Sequence, residues 1–308
     1  MAVDLSHVQV VGLGQASLDY LGRIPVFPVE DAKVELDDLQ PQCGGPASTA
    51  LVTLSRLGVK TSFLGSVSDD NMGMDIQNGL EAEGVDATFL KITPGYTSQY
   101  AFIAITRDSG KRTIFWHRGT VPPLGPGEID MKPYSGARIL HLDGLMIEAS
   151  LEAARQAKNQ GLKVVMDAGT MREGSLKLVS MVDVLIASER FAAPLTGEKT
   201  SVENALAAIS KFAPGEVVIT RGKKGSIGLR NNRMTRQRAY PVNELDTTGA
   251  GDVYHGAYIY GLLKKWDMKD CMRFASAASA IKCTEIGARK GIPNLDQVKD
   301  FIARHADI

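Results

Sequence analysis

Across residues 138–222 the chain alternates between two kinds of run. "RILHLDG", "KVVMDAG", "DVLIAS" and "EVVITRG" are short and aliphatic, whereas "SLEAARQAKNQG" and "SVENALAAISKFA" carry apolar residues at helical spacing. Apolar runs without polar alternation read as strands buried on both faces, and such strands need helices to cover them. The alternation therefore predicts a mainly parallel sheet with helices on both faces. Upstream, the valine-rich "HVQVVGLG" reads as a first strand and "TSFLGSVSDD" as another. Between them, "CGGPASTALVTLSRLG" is the clearest helix. Pro46 suits a first helical position, Ala47, Ala50, Leu51 and Leu54 form one stripe, and Gly58 suits the stop. "NMGMDIQNGLEAEG" reads as a further helix.

Two stretches break that rhythm. Around residues 15–43, the prolines and alternation of "QASLDYLGRIPVFP" argue against a helix. Around 96–120, "YAFIAIT" and "RTIFWHR" flank "RDSGK", a hairpin signal. Together they are expected to form a small second sheet, a β lid on a single domain spanning residues 1–308. Beyond "RILHLDG" there is no linker, low-complexity segment or internal repeat. Gly12 and Gly14 invite a dinucleotide-binding reading, but that fingerprint needs a helix directly after the glycines, and none follows.

Lys+Arg and Asp+Glu each number 35, so the formal net charge is zero and overall charge favours neither nucleic acid nor an anionic membrane. The 44% hydrophobic content supplies a packed core, yet no apolar run has the length to span a bilayer. Cys43, Cys271 and Cys283 are too few and scattered for a disulfide framework or a zinc site. The N-terminus lacks the basic region of a signal peptide. A cytoplasmic location is expected.

The stretch "NELDTTGAGDVYHGA" concentrates the chemistry. Glycines clustered before an apolar helix mark backbone that turns sharply or approaches a ligand. Val253, Ala257 and Tyr260 recur at helical spacing, and Gly256 and Gly261 let another element pack close. Gly249, Ala250 and Gly251 then fall at a helix N-terminus, where unpaired N–H groups favour an anion. Asp252 adds a first-turn carboxylate. Either it complements the helix dipole or it is a general base beside an anion hole, the arrangement needed for phosphoryl transfer to a hydroxyl. Two further features suit polar ligands: Gly44-Gly45 before the helix at Pro46, and Thr220, Gly222 and Gly225 in "VVITRGKKGSIGL", which could shape a nucleotide pocket.

On these residues the chain resembles a PfkB-family (ribokinase-like) carbohydrate kinase. "DTTGAGD" is close to that family's C-terminal signature and "GGPASTALVTLSRLG" to its N-terminal one. The resemblance covers essentially the whole chain, including "FASAASAIKCTEIGARKGIP". "GGPAST", "KRTIFWH" and "DTTGAGDVYHGA" look most like the ketohexokinase and sulfofructose kinase branches. The resemblance implies a Rossmann-like sheet with a β lid that pairs into homodimers, ATP and Mg2+ as cofactors, and a small-molecule sugar as substrate. It makes Asp252 the base and gives Gly249, Ala250 and Gly251 the amides that hold the transferring phosphoryl group. Asp19 would hold sugar hydroxyls, with Gly44, Gly45 and Thr49 alongside. Arg112 would lie near the transferred phosphate or the sugar, and Thr220, Gly222, Gly225 and Ser188 near the nucleotide. Asp246 and Thr248 match a loop that binds a monovalent cation, K+, in several members.

The sequence also departs from the family. Where many members carry Asn-x-x-Glu, here stand Ser188 and Phe191, leaving Glu189 or Asp167 to serve magnesium. Pro46 replaces the asparagine of the ketohexokinase branch, and Trp116 and Leu145 replace the polar or basic residues of the sulfofructose kinase branch. Single residues keep plainer readings. Arg112 is equally a solvated strand charge, Asp246 a turn residue bonding its own backbone, and Cys43 a small buried side chain. Tyr100, Phe115 and Trp116 keep a nucleoside kinase open, and a catalytically silent sugar-binding regulator is the reading from outside enzymes.

Overall fold

The computed structural model describes residues 5–108, 111–197 and 199–305. The chain opens with β1 (Val10–Leu13), β2 (Ser17–Ile24) and β3 (Asp38–Gly44), then α1 (Pro46–Arg56), β4 (Thr61–Val67) and α2 (Asn71–Ala82). Four strands follow: β5 (Val85–Asp86), β6 (Leu90–Ile92), β7 (Tyr100–Thr106) and β8 (Arg112–His117). The alternating region holds β9 (Ile139–Leu142), α3 (Ile147–Asn159), β10 (Lys163–Ala168), α4 (Ser175–Val179) and β11 (Val184–Ser188). It continues through α5 (Ala193–Thr196), α6 (Val202–Ser210) and β12 (Glu216–Thr220). An antiparallel pair, β13 (Ser226–Arg230) and β14 (Arg233–Gln237), precedes the helices α7 (Ala250–Leu263), α8 (Met268–Lys282) and α9 (Leu295–Arg304).

The large sheet has ten strands in the order β14-β13-β12-β11-β10-β9-β1-β4-β5, with β6 paired to β4. From β12 to β5 every pairing is parallel. Its central strands are buried on both faces, and their successive side chains alternate between two cores. Val184, Ile186 and Val218 face the cluster built from α1, α7 and α8. Leu185, Ala187, Val217 and Ile219 face the one that includes α3 and α6. That division follows from the two-residue period of a strand.

A four-stranded sheet in the order β3-β2-β7-β8 stands apart from the large one. Its central pair, β2 and β7, is parallel, with Leu18 opposite Tyr100 and Ile24 opposite Thr106. The outer pairs are antiparallel. One face buries Leu21, Ala101, Ile103 and Ile105 against Ile286. On β8 every residue is exposed, with Phe115 and Trp116 each at 54%.

Gly12 and Gly14 have a packing role. A Cβ on Gly12 would lie 2.7 Å from Leu51 Cδ1, and one on Gly14 would run into Asp143 and Ala47. The glycines let α1 lie close on β1, and the chain continues into strand β2 rather than the helix that a dinucleotide-binding fingerprint needs. Gly256 does the same for helices: its Cβ would come within 2.5 Å of the Ala50 carbonyl, so α1 and α7 nearly touch backbones. A Cβ on Gly261 would meet Cys271 Sγ at 2.7 Å, bringing α8 equally close. The three cysteines are free thiols. Among the described residues no helix is long and apolar enough to cross a membrane.

Candidate active site

Gly249 enters α7 in the left-handed conformation, φ 75°, which favours glycine. A Cβ there would also meet Ala288 Cα at 2.9 Å. Gly251 differs: a Cβ on it would point into open space. The amide of Ala250 already donates to the Thr247 carbonyl at 3.2 Å. The following amides of Gly251 and Asp252 belong to the first helical turn, whose N–H groups have no intrahelical partner and are open to an anion.

Asp252 sits half-buried on the first turn of α7. Burial first, and then the charge of Asp167, hold its carboxyl above the usual range, while His255 and Lys282 pull it back. Asp167, at the end of β10, is pushed up to about 7 by burial. His255, one turn beyond Asp252, places Nδ1 at 2.6 Å from the Gly251 carbonyl and Nε2 at 3.2 Å from that of Ile186. Nε2 also lies 3.5 Å from Asp167 Oδ1. His255 thereby ties the α7 N-terminus to β10 and β11. Its neighbour His141 is fully buried and driven down to about 3, chiefly by that burial, so it is neutral.

Asp19 lies on β2 and is nearly enclosed; Ser17 Oγ donates to it at 2.8 Å. Burial raises its carboxyl despite Ser17 and the charge of Arg289. A Cβ on Gly44 would sit 2.2 Å from Asp19 Oδ2, so only glycine leaves that carboxylate its place. Gly45, φ 97°, leaves no room either, since its Cβ would be 2.5 Å from the Gln15 carbonyl. Thr49 is fully buried within α1, and its hydroxyl has no hydrogen-bond partner among the described residues. Asp143, buried at the end of β9, accepts the amides of Gln15 at 2.6 Å and Leu145 at 3.0 Å. Burial still pushes it up to about 7.

Arg112 opens β8 and reaches back from the small sheet. It donates to Thr247 Oγ1, and its Nη1 stands 4.0 Å from Asp246 Oδ1. Asp246 Oδ1 accepts from the Thr248 amide at 2.9 Å and hydroxyl at 2.7 Å, while Oδ2 accepts from the Gly287 amide at 2.8 Å. Its carbonyl accepts from Lys282 Nζ at 2.8 Å. A monovalent cation at this loop would lie against a like charge, so these residues do not fit one.

Thr220, Gly222 and Gly225 line one cleft of about 260 Å³ together with Ala250 and Gly251. Its far wall comes from α8, through Ser276, Ser279, Ala280 and Cys283. Small side chains and open space over Gly222 and Gly251 leave a slot for a flat base and, at the α7 terminus, a cradle for phosphates. These residues fit ATP. Ser188 lies outside that lining, with its hydroxyl on the Gly169 carbonyl at 2.7 Å. Glu189 is paired with Arg221 at 3.1 Å. Among the described residues no group of three or more His, Cys, Asp or Glu is placed to hold a metal ion. Mg2+ on a nucleotide keeps its waters and needs only one or two carboxylates, a part that Asp167, whose charge acts on Asp252, would fill.

Lys282, Arg289 and Asp143 escaped the sequence reading. In the sequence the first two look like ordinary surface cations, yet they are buried here. The wall from α8 did leave a trace, the small residues of "FASAASAIKC" spaced three and four apart.

A cleft that ends on free helix amides, with a carboxylate in the same turn and a second sheet reaching over it, defines a phosphotransferase. The sequence matches the family described as "pfkB family carbohydrate kinase" over residues 9–295, and the chain belongs to it. The chain is 28% identical over 300 residues to a ribokinase of Haemophilus influenzae, covering 94% of this chain and 97% of that one. It is 27% identical over 322 residues to a 5-dehydro-2-deoxygluconokinase of Clostridium perfringens, covering 97% and 94%. In structure it resembles a putative ribokinase from Agrobacterium tumefaciens with a TM-score of 0.88, at 24% identity and over 98% and 99% of the two chains. It is an ATP- and Mg2+-dependent kinase that phosphorylates a hydroxyl of a sugar or sugar-like substrate.

Proposed function

We propose that Asp252 is the general base and that the substrate is a small polyhydroxylated compound held between Asp19 and the Gly44-Gly45 backbone. The observation that carries this is the carboxylate of Asp252 in the first turn of α7, directly after Gly251, over which there is open space for a phosphoryl group. The charge of Asp19, which acts on Asp252, supports a hydroxyl-binding carboxylate nearby. Bound ATP supplies the phosphoryl group, and Mg2+ offsets the charge of its oxygens. This chain supplies position. The Gly251 and Asp252 amides stabilise the transferring group, and Asp252 takes the hydroxyl proton as the bond forms. Arg112 adds positive charge from the lid. Tyr100, Phe115 and Trp116 line neither the nucleotide cleft nor the neighbouring cavity beside Gln15 and Ala16, which speaks for a sugar over a nucleoside. The intact run from Gly249 to Asp252 speaks against a silent regulator. We place the enzyme in the cytoplasm, as a dimer joined through the lid.

The test is ATP turnover on pooled sugars and nucleosides with product mass read out, followed by Asp19→Ala on the best substrate. A site built to pair hydroxyls rejects analogues that lack them, so the variant should raise KM strongly and deoxy-analogues should turn over poorly. An unchanged KM would remove Asp19 from substrate binding. Nucleoside products alone would replace the sugar reading.

A further inference from the structure

We infer that Lys282 is a built-in cation for the phosphate-binding loop, its ammonium standing in place of a bound monovalent metal ion, so that the enzyme works without potassium. Its catalytic consequence rests on the kinase reading above; its structural consequence does not.

Lys282 is the last residue of α8 and is fully buried. Lysine is almost never enclosed in this way unless its charge is met. Here main-chain oxygens meet it: Nζ donates to the Asp246 carbonyl at 2.8 Å and approaches that of Glu285 at 3.5 Å. Carbonyl oxygens replacing a hydration shell are how proteins hold alkali cations. Burial lowers the pKa of Lys282 and the charge of Arg112 adds to that, while Asp246 and Asp252, at the two ends of the loop, favour the ammonium. The helix dipole adds to this, because a cation at a helix C-terminus is favoured.

The same face of α8 grips the loop twice. Ser279 Oγ, one turn before Lys282, donates to the Ala250 carbonyl at 2.8 Å. Beyond the helix, the Cys283 carbonyl accepts the amides of Leu245 at 2.9 Å and Asp246 at 3.3 Å. Residues 246–250 are thereby anchored at both ends, and the orientation of the Gly251 and Asp252 amides follows. Lys282 is a positioning residue for those amides and a fixed positive charge beneath them.

The experiment compares wild type and Lys282→Met in potassium, ammonium and tetramethylammonium chloride at equal ionic strength. Wild-type turnover should change less than about twofold across the salts, whereas the variant should lose about tenfold or more in tetramethylammonium and regain much of it in K+ or ammonium. Melting of the substrate-free proteins is followed in the same salts. K+ should raise the Tm of the variant by about 2–4 °C, as a ligand of the native state does, and leave wild type unmoved. The melting contrast needs no turnover, so it stands or falls independently of the kinase reading. Several-fold activation or marked stabilisation of wild type by K+ would overturn the inference, and that arm holds even if the variant does not fold. So would a folded variant with wild-type turnover in every salt, or a loss that no small cation repairs.

Discussion

Asp252 and the glycines before it divide their work in a way that single substitutions can separate. Asp252→Asn keeps size and polarity but cannot accept a proton, so kcat should fall by about 10²–10⁴, the usual worth of a positioned base, with ATP affinity nearly unchanged. Steady-state kinetics and nucleotide titration check both halves. The glycines should part company. Gly251→Val adds a branched side chain where nothing now stands within 4 Å, so the protein should fold, melt near wild type and lose turnover. Gly249→Ala forces a left-handed residue against Ala288 and should lower Tm before any effect on chemistry is read. A thermal melt beside each assay distinguishes the two. The sequence marked both glycines equally. Which one serves conformation and which serves the ligand depends on what faces each Cβ, and that is set by the segment around Ala288, far along the chain.

At the scale of elements, the close crossing of α1 and α7 is the joint that aims the site, because Gly45 caps the start of α1 and Gly249 that of α7. Gly256→Val would drive a side chain into the Ala50 carbonyl and Thr53, costing about 3 kcal/mol in overpacking. Urea unfolding should show a lower midpoint at unchanged slope. The strands and α1 were legible from pattern, because both faces of the sheet are covered and α1 has one apolar stripe. Helix α7 was legible through its glycines and the spacing of Val253, Ala257 and Tyr260, but without an amphipathic stripe. Its residues from Val253 to Gly261 are all buried, so no polar face marks a period. The lid strands were legible as departures from helical spacing, but their pairing was not, since β2 and β7 meet only in three dimensions. Lys282 and Arg289 were hidden for a related reason: composition cannot say that a cation is enclosed.

Across the whole molecule, buried carboxylates make stability depend on pH. Asp143 titrates near 7 in the fold because it is buried, against about 3.9 in an unfolded chain. Below the unfolded value both states hold the proton. As pH rises from there through about 7 the unfolded chain releases it first, so stability falls. Tm of wild type should therefore drop more between pH 5 and pH 8 than that of Asp143→Asn, with the sign reversed if burial did not dominate. We expect the lid to join two copies: Leu39 and Phe115 are exposed on one of its faces, Ile114 and Trp116 on the other, and β3 and β8 leave two strand edges. Such a surface is covered in solution when a second copy pairs with it. Sedimentation should give a dimer at micromolar concentration, and Trp116→Asp should give a monomer. The parallel joint between β2 and β7 also bears on how the chain reaches this state. Between Leu18 and Tyr100 the chain runs through β3 of the lid itself and then through α1, β4, α2, β5 and β6, which build one flank of the large sheet and its cover. Pairings of such long sequence separation form slowly and open readily. The lid is thus the last unit to assemble and the first to let go, and its amides should exchange with solvent while those of β1 and β9 remain protected.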